Sequence, residues 1–491
     1  MNNLLIAPVV IPLLTGMALI ILQKNIRLQR ALSLIALCVT AIIAVMLINR
    51  ISHGGIQTLQ LGGWEAPFGI SFVGDMFSAL LLLATSIVAI GCVIFAFSST
   101  ERRQEKLYFY PLFLFLITGV NGSFLTGDLF NLYVFFEVFL VASYVMITLG
   151  GTQKQLRESL KYIFTNIISS AFFLMGVAYL YSITGTLNLA HLSMRIAEVG
   201  QDGLITTVAL LFLIVFALKA GLLLFFWLPG SYSVPPTAVS AIFAALLTKV
   251  GIYAIFRMFT LIFYHEPQVT HLVIGILAAA TMILGGLGAI GFWDLRNILT
   301  YNVIISVGFI MLGFVSMTTN GMMGSIYYLL HDMIIKALVF LIGGTIIHLT
   351  GTSRLKEIGG LIRLQPWLGW MFLIAALSMV GIPPLSGFLG KVFITRGAFE
   401  SGYFWLGAIG LVASLCILYS MIKLFMNAFW GDTMLNEEEL KGNAKGLLFP
   451  IAFLTCASLV LGIGAEGIAG YVTQAANELL NPNLYIQAVF K

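Results

Sequence analysis

The sequence predicts an all-α, polytopic membrane protein of about fourteen transmembrane helices, and three observations carry that prediction. First, 60% of the 491 residues are hydrophobic and only 9% are charged, with a mean hydropathy of +1.02, too little charge for a water-facing surface. Second, apolar runs of roughly 20 residues, enough to cross a hydrocarbon core about 30 Å thick, recur from Leu4 to Gly470 with short polar breaks. No stretch is left for a soluble domain. Third, the runs are near-continuous Leu, Ile, Phe and Val, without the period-2 alternation of barrel strands. Backbone polar groups cannot stay unpaired in lipid, so helices remain.

Taken in order, spans 1–3 fall near 3–22, 31–49 and 72–98, in an N-terminal section 1–106. Residues 1–21 lack a basic start and a small-residue cleavage site, so they read as a span rather than a leader. Residues 51–70, Gly-rich and partly alternating, suit a small hairpin. Spans 4–8 fall near 107–126, 128–149, 159–183, 204–228 and 236–262, in a section 107–262. Between two of them, residues 187–199 place Leu189, Leu192 and Ile196 on one face, as in a short helix lying in the interface. Spans 9–13 fall near 270–292, 297–317, 322–349, 366–396 and 403–430, in a section 263–430. A loop and span 14 near 447–470 complete the chain in 431–491.

Two spans are interrupted. Trp227-Leu228-Pro229-Gly230 and Pro235-Pro236 interrupt span 7, and Gly381-Ile382-Pro383-Pro384 interrupts span 12. Proline donates no backbone hydrogen bond, and unwound backbone at membrane depth survives only inside protein or along a cavity. The breaks at Pro229, Pro383 and Pro384 lie five spans apart, each with a nearby lysine. Spans 4–8 and 9–13 are therefore expected to be two five-helix repeats, inverted by the odd offset, with a site at the midplane.

Loop charges give an orientation. Lys24, Arg27, Arg30, Arg102, Arg103, Lys106, Lys154, Arg157, Lys161, Arg296, Arg354, Lys356, Arg363, Lys441 and Lys445 collect on one side. Only Arg50, Arg195, Arg396 and Lys491 collect on the other. The positive-inside rule places the basic loops in the cytoplasm and both termini outside. This accounts for the net charge of +5 without a nucleic-acid partner.

Six of the 25 basic residues remain, all within spans: Lys219, Lys249, Arg257, Lys336, Lys391 and Lys423. Arg257 and Lys423 sit near span ends, where long side chains are expected to snorkel to the headgroups. The other four lie deeper, as do Glu137, His331 and Asp332. An isolated charge at that depth costs about 2.5–3.5 kcal/mol on insertion scales, so such a set must pair up or line a wet path. Burial disfavours the charged form of a lysine and a carboxylate neighbour favours it, so a lysine between those influences can take up and release a proton. A single buried pair also fits a static helix lock; a series across many helices points to transport.

These residues also carry a resemblance. The chain resembles the proton-pumping, antiporter-like membrane subunits shared by respiratory complex I and Mrp-type multisubunit sodium/proton antiporters. The likeness spans nearly the whole chain. It rests on Gly62-Gly63-Trp64 to Asp75, Phe135-Phe136-Glu137, Leu218-Lys219, Trp227-Leu228-Pro229, Leu247 with Lys249, and Asp294-Leu295-Arg296. It continues through His331 with Lys336-Ala337-Leu338 and the block from Pro383 to Lys391. The Asp128-to-Tyr133 lead into Glu137 is most similar to the Mrp branch, and one complex I subunit has a glutamate where this chain has Lys391. The resemblance implies that Glu137 and Lys219 form a switching pair, with Lys249 the central relay. It further implies that His331 and Lys336 continue the path and that Lys391 ends it toward the outside. Complex I relatives often carry a histidine near Ser306-Val307, so the link between the halves is expected to use water and Ser306, with Asp332 a further relay position. It implies a hetero-oligomer of antiporter subunits handling protons and Na+ in the lipid bilayer.

Other signals carry less. Gly286-Leu287-Gly288-Ala289-Ile290-Gly291 matches a dinucleotide fingerprint but follows no strand, and close helix packing explains it. Cys38, Cys92, Cys416 and Cys456 are scattered, and His53, His191, His265 and His271 are expected in outer loops without ligand spacing. Glu437-Glu438-Glu439 reads as a solvated loop. No metal, cofactor or enzymatic centre is expected. The alternatives are a proton-pumping subunit of a redox-driven complex and a structural scaffold subunit.

Overall fold

The protein is described by a computed structural model covering residues 3–431 and 444–491; Glu437-Glu438-Glu439 and Lys441 lie outside the described residues. The chain opens with α1 (Ala7–Ile21), α2 (Ile26–Gly54), strands β1 (Gln57–Gln60) and β2 (Ser71–Gly74), and α3 (Met76–Ser99). There follow α4 (Arg102–Glu105), α5 (Phe109–Leu125), α6 (Leu129–Thr148), α7 (Gln153–Thr184), α8 (Leu189–Val199), α9 (Gly203–Ala220), α10 (Leu228–Ser233) and α11 (Thr237–Leu261). The next set is α12 (Pro267–Gly291), α13 (Leu295–Val315), α14 (Thr319–Thr350), α15 (Leu361–Leu364), α16 (Pro366–Val380), α17 (Ser386–Glu400) and α18 (Phe404–Ala428). The chain closes with α19 (Leu448–Ile463), α20 (Ala465–Leu480) and α21 (Pro482–Val489).

Among the described residues, ten helices are long and apolar enough to cross a membrane, and α19 with α20, bent by 76°, makes up to eleven. The expected spans 1, 4 and 12 fall on the shorter apolar helices α1, α5 and α16. Span 14 is shorter than expected, because the chain turns at Gly464 between α19 and α20. Along its apolar window α11 is wholly buried, and α13, α14 and α3 largely so. Conversely, α2, α7, α12 and α18 expose rows such as Ile35, Ile42 and Val45, or Leu411, Leu415 and Tyr419. In water such patches would be unusual; in a bilayer they face lipid. The wholly or largely buried helices α11 and α14 carry Lys249, Arg257, Asp332 and Lys336.

Two halves share one register, at a spacing of 166 residues from Asp128 to Asp294. Asp128 caps α6 by accepting from the Asn131 amide, and Asp294 caps α13 by accepting from the Asn297 amide. The Leu129 amide donates to the Leu187 carbonyl and the Leu189 amide to Gly127, at 2.8 and 2.9 Å. Leu295 to Ser353 and Leu355 to Trp293 repeat that pair of bonds at 2.9 and 3.1 Å. Both α7 and α14 have 32 residues and end on a left-handed glycine, Gly185 and Gly351.

Several expectations shift. The hairpin exists, but Gln57 pairs with Gly74 and Gln60 with Ser71, so its second strand lies beyond residue 70. The Leu189, Leu192 and Ile196 face of α8 is buried against protein, and Ser193 donates to the Leu261 carbonyl at 2.6 Å. Span 7 breaks at 221–227, before Pro229, which instead opens α10, a position where its missing N–H costs nothing. Gly221 and Leu223 there take positive φ. The freed groups are satisfied: the Leu223 amide donates to Thr281 at 2.8 Å, and the Trp227 indole to the Leu218 carbonyl at 3.0 Å. Span 12 breaks at 381–385, where Pro383 and Pro384 sit. His271 lies in α12 rather than in a loop, buried and stacked on Phe314, while His53 ends α2.

Candidate functional site

The site starts in the first half. Helix α6 carries Glu137, α7 carries Ser170, and the last turn of α9 carries Lys219. The Ser170 hydroxyl donates to a Glu137 carboxylate oxygen, and the Lys219 ammonium donates to that same hydroxyl at 3.4 Å. Lys219 is 4% exposed, and its ammonium lies 5.1 Å from the centre of the Phe136 ring. The acid and the base are thus joined through a serine rather than in direct contact.

The centre lies between α11 and α14. Lys249 contacts one Asp332 oxygen at 2.7 Å and Lys336 the other at 3.3 Å. Lys249 also donates to the Ala244 carbonyl at 2.8 Å. None of the three is more than 1% exposed. When all are charged, the group holds two cations and one anion. Low dielectric penalises that surplus strongly. Between Lys219 and Lys249 the helices nearly touch: a Cβ on Gly251 would lie 2.6 Å from the Ala220 amide nitrogen.

Further along, His331 Nδ1 lies 2.7 Å from the Ser386 hydroxyl at the start of α17. Lys391, also on α17, donates at 2.9 Å to the Val380 carbonyl, one of those left open where α16 ends on left-handed Gly381. Lys391 lines an open cavity of about 630 Å³ that also meets Arg396 and Glu400. A polar cavity of about 220 Å³, lined by Lys154, Asp294, Arg296 and Ser353, opens elsewhere.

Of the predicted site residues, the structure joins Glu137 to Lys219 through Ser170, and Lys249 to Lys336 through Asp332. It places His331 and Lys391 on the facing helices α14 and α17. Ser306 is buried on α13, its hydroxyl donating to the Asn302 carbonyl of its own helix at 3.0 Å, while Lys249 on α11 and Asp332 on α14 meet directly at 2.7 Å. Arg257 differs from expectation, since it turns inward instead of toward the surface. Arg257 is buried and paired with Asp75 at 2.6 Å. Lys423 donates to the Ile290 and Phe292 carbonyls at the end of α12, at 2.9 and 2.5 Å. Arg257 thus meets a buried anion, and Lys423 the carbonyls that end a neighbouring helix.

Sequence reasoning missed Ser170, Ser378 and Ser458. A signal existed, since Tyr162, Thr165, Asn166, Ser169 and Ser170 make a buried polar stripe on an otherwise apolar helix.

Known proteins share both the sequence and this architecture. Residues 126–428 match the family described as NADH:quinone oxidoreductase/Mrp antiporter, TM. The chain is 50% identical to the D-type subunit of the Na(+)/H(+) antiporter of Bacillus subtilis (strain 168), with 100% of both chains covered. Its fold is similar to a chain of the Mrp complex from Dietzia sp. DQ12-45-1b, with a TM-score of 0.93, 32% identity and 100% of both chains covered. It is also similar to a chain of respiratory complex I from Thermus thermophilus, with a TM-score of 0.84, 26% identity, and 97% and 100% covered.

Proposed function

From the premise that this chain belongs to the NADH:quinone oxidoreductase/Mrp antiporter family, we propose that it moves protons along Glu137, Lys219, Lys249, Asp332, Lys336, His331 and Lys391. It is a D-type subunit of a multisubunit Na+/H+ antiporter, a transporter component rather than an enzyme, and one member of a hetero-oligomeric membrane complex. The Lys249–Asp332–Lys336 triad is the observation that supports the route best. One carboxylate between two lysines stabilises one positive charge fully and a second only partly. A proton arriving from Lys219 therefore displaces one onward, toward His331 and Lys391. Separation of Glu137 from Lys219 would release the proton that starts the sequence. Each proton falling through about 100 mV releases roughly 2.3 kcal/mol, available to drive Na+ the other way.

The two cavities fit an inlet and an outlet. The polar one borders Lys154 and Arg296, which belong to the basic loops read as cytoplasmic; the other joins Lys391 to Arg396. Both termini then lie outside, and the two halves are inverted repeats.

The test is sodium/proton exchange in vesicles holding the assembled complex. Lys219→Ala and Glu137→Ala abolish exchange while assembly persists. Full exchange by both variants would mean that the buried charges only hold helices together.

A further inference from the structure

Beside the relay, and resting on the proton-translocating reading of it, lies a closed group of hydroxyls. Ser378 comes from the end of α16, Ser386 from the start of α17 and Ser458 from α19, and all three are at most 2% exposed. Ser378 and Ser386 lie 2.9 Å apart, Ser386 and Ser458 3.0 Å, and Ser378 and Ser458 3.3 Å. Ser386 also meets His331 Nδ1 at 2.7 Å. Among the described residues, these three hydroxyls make no other hydrogen bond.

Each serine hydroxyl supplies one hydrogen and can accept others. Four contacts therefore need four hydrogens, and the serines supply three. The fourth can come only from His331, and only when its Nδ1 carries the proton. The opposite tautomer would leave one contact without a hydrogen. It would also aim an N–H from Nε2, which is buried and has no partner among the described residues. Backbone alone faces Nε2 on one side: a Cβ on Gly387 would lie 3.1 Å from it and 2.0 Å from the Ser378 carbonyl oxygen.

We propose that Ser386, supported by Ser378 and Ser458, is a positioning residue that holds neutral His331 protonated at Nδ1, so that bare Nε2 is the atom that takes up the travelling proton. A proton adds to the Nε2 lone pair and later leaves from the same nitrogen. The Nδ1–H bond to Ser386 never breaks, and the ring need not turn. Asp332, Lys336 and Lys391 are the charged groups whose fields reach the ring, and all three belong to the relay. Ser458 also makes α19, which lies outside both repeats, part of the site.

The tautomer is directly measurable. The complex is labelled with 15N-histidine in membranes, and His331 is assigned among the six histidines by subtracting the spectrum of His331→Gln. The wild type shows Nδ1–H at neutral pH. Ser386→Ala moves the signal toward Nε2–H and lowers sodium/proton exchange at least about tenfold, whereas Ser386→Thr restores both. Ser458→Ala keeps the Nδ1 contact and has a smaller effect. An Nε2–H signal in the wild type overturns the proposal, as does a Ser386→Ala complex whose tautomer is unchanged, whatever its exchange rate. Lys219→Ala is run alongside: if it exchanges at full rate, the relay itself is wrong, and if it alone is dead, only the role of Ser386 fails.

Discussion

Asp332 faces two ammonium groups with one carboxylate, and removing its charge leaves both lysines buried without an anion. Breaking a buried pair in this way typically costs about 3–5 kcal/mol. Asp332→Asn is therefore expected to lower the melting temperature of the complex, and to reduce exchange more than tenfold on the scale of a lost acid–base group. Thermal melts and vesicle exchange check the two effects separately. At the other end, Ser170 bridges Glu137 and Lys219. Ser170→Ala should slow exchange by roughly tenfold with little change in assembly, while Ser170→Thr, which keeps the hydroxyl, should stay near wild type. Equal rates in both variants would show that acid and base communicate by another route. The charges at these positions are plain in the sequence because each is an exception within an apolar run. The serines are not, since neutral hydroxyls occur in helices throughout the chain, where many simply bond the carbonyl one turn back, as Ser86 does with Leu82.

Between elements, the decisive feature is how closely broken helices approach unbroken ones. Helix α9 ends at Ala220, against α11 at Gly251, where an added Cβ would strike backbone atoms at 2.6 and 2.9 Å. Backbone cannot yield as a side chain can, so Gly251→Val must drive the helices apart, and with them Lys219 and Lys249. Overpacking of this sort costs about 1–3 kcal/mol, which an assembled complex can survive. The expected outcome is a complex that still forms but loses most exchange, checked by quantifying subunits alongside transport. Proline foretold that spans 7 and 12 break, because a missing donor is visible in the sequence. It did not place the first break, since Pro229 begins a helix more comfortably than it ends one. That break falls instead at Gly221–Trp227, where Thr281 and the Trp227 side chain take over the unpaired backbone groups.

For the whole molecule, the test concerns sidedness. With native cysteines removed, Lys154→Cys and Arg396→Cys are expected to react with an impermeant thiol reagent from opposite faces of the membrane. Reaction from one face would reverse the assignment of inlet and outlet. The chain is one subunit of a larger assembly, so such labelling belongs in the intact complex.

The sequence by itself determined the all-helical membrane class, because long apolar runs must close their backbone hydrogen bonds internally in lipid. It determined the two interrupted helices and the set of buried charges as well, because each of these breaks the apolar rule that the bilayer imposes. It also carried the family resemblance, through motifs spread over the chain. Only the tertiary structure decided which charges meet. Lys249 and Asp332 are far apart in sequence, and their contact depends on α11 packing against α14, which no local pattern encodes. For the same reason Arg257 looks free to reach the headgroups until the fold sets Asp75, at the head of α3, beside it. Pairing in a membrane interior is set by distance across helices, and one chain's residue order does not record that distance.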